Sequence, residues 1–326
     1  MTLPRVFVTR QLPKRLDALQ QVATVEVWED PAPPPYEVLL NKARTVDGLL
    51  CLLTDQIDRP LLEAATSLKV VSQMAVGYDN IDITAATDRH IPVGHTPGVL
   101  TDATADLTWA LLMAAARRIV EADRFTRQGH WKTWEPSLLL GPDIRHATLG
   151  IVGMGRIGQA VAKRASGFEM RILYTSRHRC DAALEESLGL EYVSFDRLLQ
   201  DSDFVTIHTP LTPETHHLFS DAQFEQMQPT AMLINTARGA IVDPEALYRA
   251  LSQKQIAAAA IDVTDPEPIA MNSPLLSLDN LIITPHIGSA SQQTREKMAT
   301  MSIENLIAGL KGDRLPYCVN PEVYSR

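Results

Sequence analysis

The chain has 326 residues, enough for two domains at the usual size of about 100–200 residues each. Its 45% hydrophobic and 21% charged residues are those of an ordinary globular protein. A net charge of −9 with no basic block argues against a nucleic-acid face, which needs clustered Lys and Arg. No apolar run is long enough to cross a membrane, and the N-terminus carries no signal-peptide pattern. Cys51, Cys180 and Cys318 lie far apart without metal-ligand spacing, so a cytoplasmic protein without a metal is expected.

In chain order, residues 6–8, 25–27, 48–53, 70–73 and 92–95 read as short strands. Residues 12–22, 36–44, 59–65 and 81–89 read as helices between them. Such alternation predicts a parallel sheet with helices on both faces. A loop rich in proline occupies 31–35. One long helix is predicted over 102–120, capped by Thr101 or Asp102, with Leu107, Leu111 and Leu112 on its apolar face. The excursion 121–146 has no strand–helix repeat but holds Trp131, Trp134 and Leu138 to Leu140, which suggests burial against a second subunit.

A second alternating block starts at Thr148, with strands near Met170, Tyr192, Phe204, Met232, Ile256 and Leu281. An amphipathic helix over 292–310 is expected to return to the first domain. The predicted class is therefore α/β, two Rossmann-like doubly wound parallel-sheet domains. A dinucleotide-binding domain (100–289, with arm 121–146) is inserted in a flavodoxin-like substrate domain (1–99 and 290–326).

The second block opens on Thr148-Leu-Gly-Ile-Val-Gly-Met-Gly-Arg-Ile-Gly, where Gly153, Gly155 and Gly158 fall at the G-x-G-x-x-G spacing. The first glycine permits the tight turn off the strand, the second lets a pyrophosphate approach the backbone, and the third lets helix and strand pack closely. Phosphates then sit on the free N–H groups at the helix start. A strand before, a helix after and a second strand beyond supply the context the motif requires.

Three ionisable residues stand beyond successive predicted strands: Arg238 after 232–237, Glu267 beyond 261–263, and His286 after 282–285. Ligands of open α/β sheets bind beyond the carboxyl ends of strands, so all three are expected to line one pocket between the domains, where a nicotinamide lies. Hydride addition to a carbonyl needs a proton donor, and imidazolium supplies one near neutral pH. A carboxylate paired with that imidazole favours its charged form, and Glu267 is the candidate. Arg238 can hold a substrate carboxylate in a fork of hydrogen bonds.

With these residues in place, the sequence resembles the D-isomer-specific 2-hydroxyacid dehydrogenases over nearly its whole length. The resemblance is carried by Val76-Gly-Tyr-Asp-Asn-Ile-Asp, Thr96-Pro-Gly-Val-Leu-Thr-Asp, the glycine motif and His208-Thr-Pro-Leu-Thr-Pro-Glu-Thr. It continues through Asn235-Thr-Ala-Arg-Gly, Asp262-Val-Thr-Asp-Pro-Glu-Pro and Pro285-His-Ile-Gly-Ser. It implies Arg238, Glu267 and His286 as the catalytic trio and the backbone of Val76 and Gly77 as a substrate-carboxylate site, joined by Arg238 and His286. It also implies that Asp262 meets the nicotinamide carboxamide, that Arg156 and Ile157 offer N–H groups to pyrophosphate, and that Thr209 and Pro210 border the adenine. Thr104, His208, Thr215, Thr236, Ala237, His286 and Gly288 complete the implied cofactor set.

Within the family, Trp131-Lys-Thr-Trp134-Glu-Pro looks most like glyoxylate/hydroxypyruvate reductases. Those are homodimers, which implies that Trp134 reaches the partner subunit's site. Small 2-oxoacids are the implied substrates. Other D-2-hydroxyacid dehydrogenases (D-lactate type, phosphite or formate) and a dinucleotide-sensing corepressor are the alternatives. The cofactor follows from the turn after 171–175. An NAD site normally carries Asp or Glu about 20 residues beyond the glycines, on the ribose hydroxyls. Here Thr175 is followed by Ser176, Arg177, His178 and Arg179, which can bind a 2′-phosphate. NADPH is therefore the expected cofactor, with NADH as an alternative.

Overall fold

The computed structural model describes residues 2–325. Among them, 2–100 with 290–325 form one compact unit and 101–289 another.

The first unit contains strands β1 (Arg5–Val8), β2 (Thr24–Val27), β3 (Gly48–Cys51), β4 (Val70–Gln73) and β5 (Val93–Gly94). They form an all-parallel sheet in the order β2-β1-β3-β4-β5, the flavodoxin-like arrangement. Its central strands β3 and β4 are buried at every residue, as expected where helices cover both faces. The helices are α1 (Asp17–Gln20), α2 (Tyr36–Ala43), α3 (Arg59–Ala64) and α4 (Ile83–Asp88). Asp58 and Asp82 cap α3 and α4 by accepting from Leu61 N and Ala85 N. The helix expected over 12–22 shrinks to α1, because Pro13 lacks a donor and disfavours a helical Leu12, and Leu16 offers no side-chain cap.

The second unit begins with α5 (Thr101–Ala116) and α6 (Ile119–Arg127). The single helix expected over 102–120 is thus broken, since Arg118 sits in the left-handed region at φ 50°. The break separates two environments. α5 buries Ala105, Leu111, Leu112 and Ala115, whereas α6 buries none of its residues. The arm therefore opens as helix rather than as irregular chain.

Strands β6 (Thr148–Val152), β7 (Arg171–Thr175), β8 (Leu190–Tyr192), β9 (Phe204–Ile207), β10 (Met232–Asn235), β11 (Ala258–Ile261) and β12 (Leu281–Ile283) follow. Between them lie α7 (Arg156–Ala165), α8 (Ala182–Leu188), α9 (Phe195–Asp201), α10 (Asp221–Phe224) and α11 (Pro244–Ser252). The parallel order β12-β11-β10-β9-β6-β7-β8 reverses direction between β6 and β9, the switch point of a Rossmann sheet.

The last helix, α12 (Gln292–Lys311), belongs to the first unit. Ser72 Oγ donates to Ser302 O at 2.8 Å, and Gly309 lets the helix reach β4, since a Cβ there would lie 2.5 Å from Val70. Gly312 then ends it at φ 82°. Among the described residues, no helix is long and apolar enough to cross a membrane, and no group of three or more His, Cys, Asp or Glu side chains could hold a metal.

Candidate active site

The glycine motif sits at the switch point and lines a cavity of about 460 Å³. Gly153 adopts φ +99°, and a Cβ on it would lie 2.6 Å from His208 O; one on Gly158 would lie 2.2 Å from Gly153 O. A Cβ on Gly155 would instead meet nothing within 4 Å, so bare backbone faces open space. No side chain caps α7, so the N–H groups of Arg156, Ile157 and Gly158 have no intrahelical partner. This cradle fits a dinucleotide pyrophosphate.

Ser176, Arg177, His208, Thr209, Pro210 and Thr215 share the cavity wall. Burial pushes the His208 imidazole down to about 3, and its Nε2 has no hydrogen-bond partner among the described residues. His208 is therefore neutral at pH 7 and contributes shape rather than charge. Arg179, expected on the phosphate, points elsewhere. Its Nε and Nη2 donate to Glu185 Oε1 and Oε2 at 2.9 and 2.8 Å, and its guanidinium lies 5.7 Å from the Tyr192 ring centre.

Arg238, Glu267 and His286 follow three adjacent strands, β10, β11 and β12. His286 Nδ1 donates to Glu267 Oε1 at 2.6 Å, which leaves Nε2 as the second ring nitrogen. Asn235 shapes the Arg238 turn by accepting from Ala237 N at 3.0 Å and donating to Arg238 O at 2.9 Å. Gly239 brings that turn against the loop leading to Glu267, because a Cβ would lie 2.0 Å from Thr264 O. Arg238 itself donates from Nη1 to Ala237 O at 2.9 Å.

His286 occupies the left-handed region at φ 52°, a costly conformation for a residue with a Cβ. Asp262 holds it there. Its carbonyl accepts from His286 N at 2.8 Å. Its buried carboxylate accepts from Thr284 Oγ1 at 2.6 Å, Ile287 N at 2.8 Å and Gly288 N at 2.7 Å. Sequence reasoning misses this latch role, although Asp262 and Thr284 each follow a strand whose last residues, Ile261 and Ile283, are paired. Thr104 lies near Gly288, with Cγ2 3.5 Å from where a Cβ would stand. Thr236 shares a 2.8 Å hydroxyl contact with Thr108.

In the first unit, the Val76–Gly77 loop is fixed through its carbonyls. His95 Nδ1 donates to Val76 O at 3.0 Å, and Gln73 Nε2 donates to Gly77 O at 2.6 Å. Trp134 is the most exposed tryptophan, at 79%, and Trp131 stands at 60%.

The description "D-isomer specific 2-hydroxyacid dehydrogenase, NAD binding domain" matches residues 109–288. A glyoxylate reductase of Korarchaeum cryptofilum is 52% identical over 322 residues, covering 98% of this chain and 97% of that one. A crystal structure from Thermus thermophilus superposes with a TM-score of 0.91 at 48% identity, covering 97% and 99%. The NADPH-dependent glyoxylate/hydroxypyruvate reductase of Sinorhizobium meliloti, solved with NADP and malonate, has a TM-score of 0.87 at 31% identity, covering 98% of each chain. With a Rossmann cradle and these relatives, the chain belongs to the D-isomer-specific 2-hydroxyacid dehydrogenases, as an NAD(P)-dependent oxidoreductase that acts on the CH–OH group and reduces a 2-oxoacid.

Proposed function

We propose that this protein reduces glyoxylate to glycolate and hydroxypyruvate to D-glycerate, with NADPH as the preferred cofactor. The observation that carries the reading is the 2.6 Å His286–Glu267 pair beyond the strands neighbouring the Arg238 turn. The dinucleotide supplies a hydride to the carbonyl carbon when bound. His286 gives a proton from Nε2 to the carbonyl oxygen as negative charge develops there. Glu267 accepts from Nδ1, orients the ring and offsets the charge of the imidazolium. Arg238 takes the substrate carboxylate as a charge-assisted fork. Asp262 positions the His286 turn, and with Thr104, Thr236, Ala237 and Gly288 it would help to hold the nicotinamide.

Ser176 and Arg177 on the cavity wall support the choice of NADPH, because among the described residues no carboxylate lines that wall to oppose a 2′-phosphate, the nearby Glu214 facing Arg177 from outside it. The curated relatives named glyoxylate reductase and the NADP-bound neighbour favour the same reading. Three free cysteines suit a reducing cytoplasm. The arm 121–146 forms a two-fold dimer interface in this proposal, since Trp131, Trp134 and Leu140 are all exposed and a symmetric dimer needs a self-complementary apolar patch. Trp134 then serves the partner subunit's site.

A panel of glyoxylate, hydroxypyruvate and pyruvate under NADPH and NADH tests the reaction. Saturable reduction of the first two with a higher kcat/KM for NADPH is expected; a clear preference for pyruvate or NADH contradicts it. Sedimentation at micromolar concentration checks the dimer, and a monomer there removes the arm interface.

A further inference from the structure

The turn that follows β7 contains a clasp that the proposed NADPH site leaves unused. Tyr174, the penultimate residue of that strand, is fully buried, and its hydroxyl emerges beneath the turn. It donates to Glu185 Oε1 at 2.5 Å and accepts from Cys180 N at 2.9 Å. Glu185 reaches over from α8, whose start is fixed by Asp181 accepting from Leu184 N at 2.8 Å. Both Glu185 oxygens are also taken by Arg179, so one carboxylate ties strand, helix and turn together. The Glu185 side chain is only 13% exposed, while Arg179 is 63% exposed. Between the tied ends, Ser176 Oγ donates to His178 O at 2.5 Å, closing the turn on itself.

We infer that Glu185 is a positioning residue for cofactor selection: with Tyr174 and Arg179 it shapes the 176–180 turn so that Ser176 and Arg177 face the nucleotide cavity, and it keeps Arg179 off the phosphate. The inference rests on the NADPH reading and deepens it. The Arg179 guanidinium, followed by the Tyr174 hydroxyl, holds the Glu185 carboxyl down to about 2, so the clasp stays charged throughout the neutral range. With Arg179 tied to Glu185, Arg177 is left as the one arginine on the cavity wall among the described residues. Two mobile ones would attract any anion.

The test titrates the protein with NADPH and NADH by quenching of its tryptophan fluorescence, without turnover. Glu185→Gln and Tyr174→Phe each remove one leg of the clasp. Both are expected to weaken NADPH binding roughly 3–5-fold, clearly less than Arg177→Ala, with NADH binding unchanged within about twofold. Arg179→Ala should match Glu185→Gln, and the double variant should be no worse than either single one, because all act through the same turn. An unchanged NADPH/NADH affinity ratio in both Glu185→Gln and Tyr174→Phe overturns the inference while leaving the NADPH reading intact. Loss in Arg179→Ala as large as in Arg177→Ala also overturns it, by making Arg179 a direct clamp. A wild-type protein that binds NADH more tightly than NADPH overturns both.

Discussion

The turn after β12 and the turn after β7 both present polar side chains beyond a strand end, yet they are held by different means. The first is fastened from below, by the buried Asp262 carboxylate accepting two backbone N–H groups and a hydroxyl. The second is fastened from the side, by Glu185 accepting only from side chains. A backbone latch fixes main-chain dihedrals, which the left-handed His286 requires. The clasp instead holds its turn mostly through side chains, with the Cys180 N–H as its main-chain tie. Proton transfer needs placement to a fraction of an ångström, whereas a phosphate with several acceptor oxygens tolerates looser placement. The difference in construction matches the different tasks proposed for the two turns.

This comparison separates the effects of substitution. On the chemical side, Arg238→Ala removes the substrate fork and should lower kcat/KM for glyoxylate roughly 10–100-fold, with NADPH binding unchanged. Near-normal kinetics would take Arg238 out of the site. Asp262→Asn turns an amide N–H toward one of the donors the carboxylate now satisfies. A drop in kcat of about tenfold and in Tm of roughly 3–12 °C is expected, from the loss of one buried charge-assisted bond. If kcat and Tm both stay at wild-type values, the latch is not what holds His286. Arg177→Ala works on the other turn. It should weaken NADPH about tenfold and leave kcat with NADH alone; equal losses with both cofactors would show that the two turns are not separable.

A last effect concerns pH. His208 is held at about 3 against an ordinary value of 6.5, so the unfolded chain takes up its proton first. Its contribution to stability is complete above pH 6.5 and is lost as pH falls from 6.5 toward 3. Melting followed from pH 7 to 4 should therefore show a shallower fall in Tm for His208→Asn than for the wild type. Parallel curves would count against a buried neutral imidazole.

Much of this molecule is legible in the sequence because local chemistry fixes it. Val70-Val-Ser-Gln and Met232-Leu-Ile-Asn are short, β-branched or apolar stretches that read as buried strands, and the three glycines have one geometric use each. The residues of the trio are legible as candidates because each lies in a loop just beyond a strand. What escapes is set by partners distant in sequence. The kink at Arg118 has no glycine or proline to announce it, in a run of alanines followed by two arginines. Arg179 reads as a phosphate ligand until Glu185, on the next helix, is seen to claim it. Asp262 reads as a cofactor contact, while its grip on Ile287 and Gly288 depends on strand pairing.

The account stands most directly on His286 as the proton donor in 2-oxoacid reduction. Rapid mixing of the protein and NADPH with glyoxylate, for wild type and His286→Ala side by side, measures the single-turnover rate apart from binding. A rate lowered about 10²–10⁴-fold in the variant, with NADPH binding preserved, is the predicted result. A variant that oxidises NADPH at the wild-type rate contradicts the account.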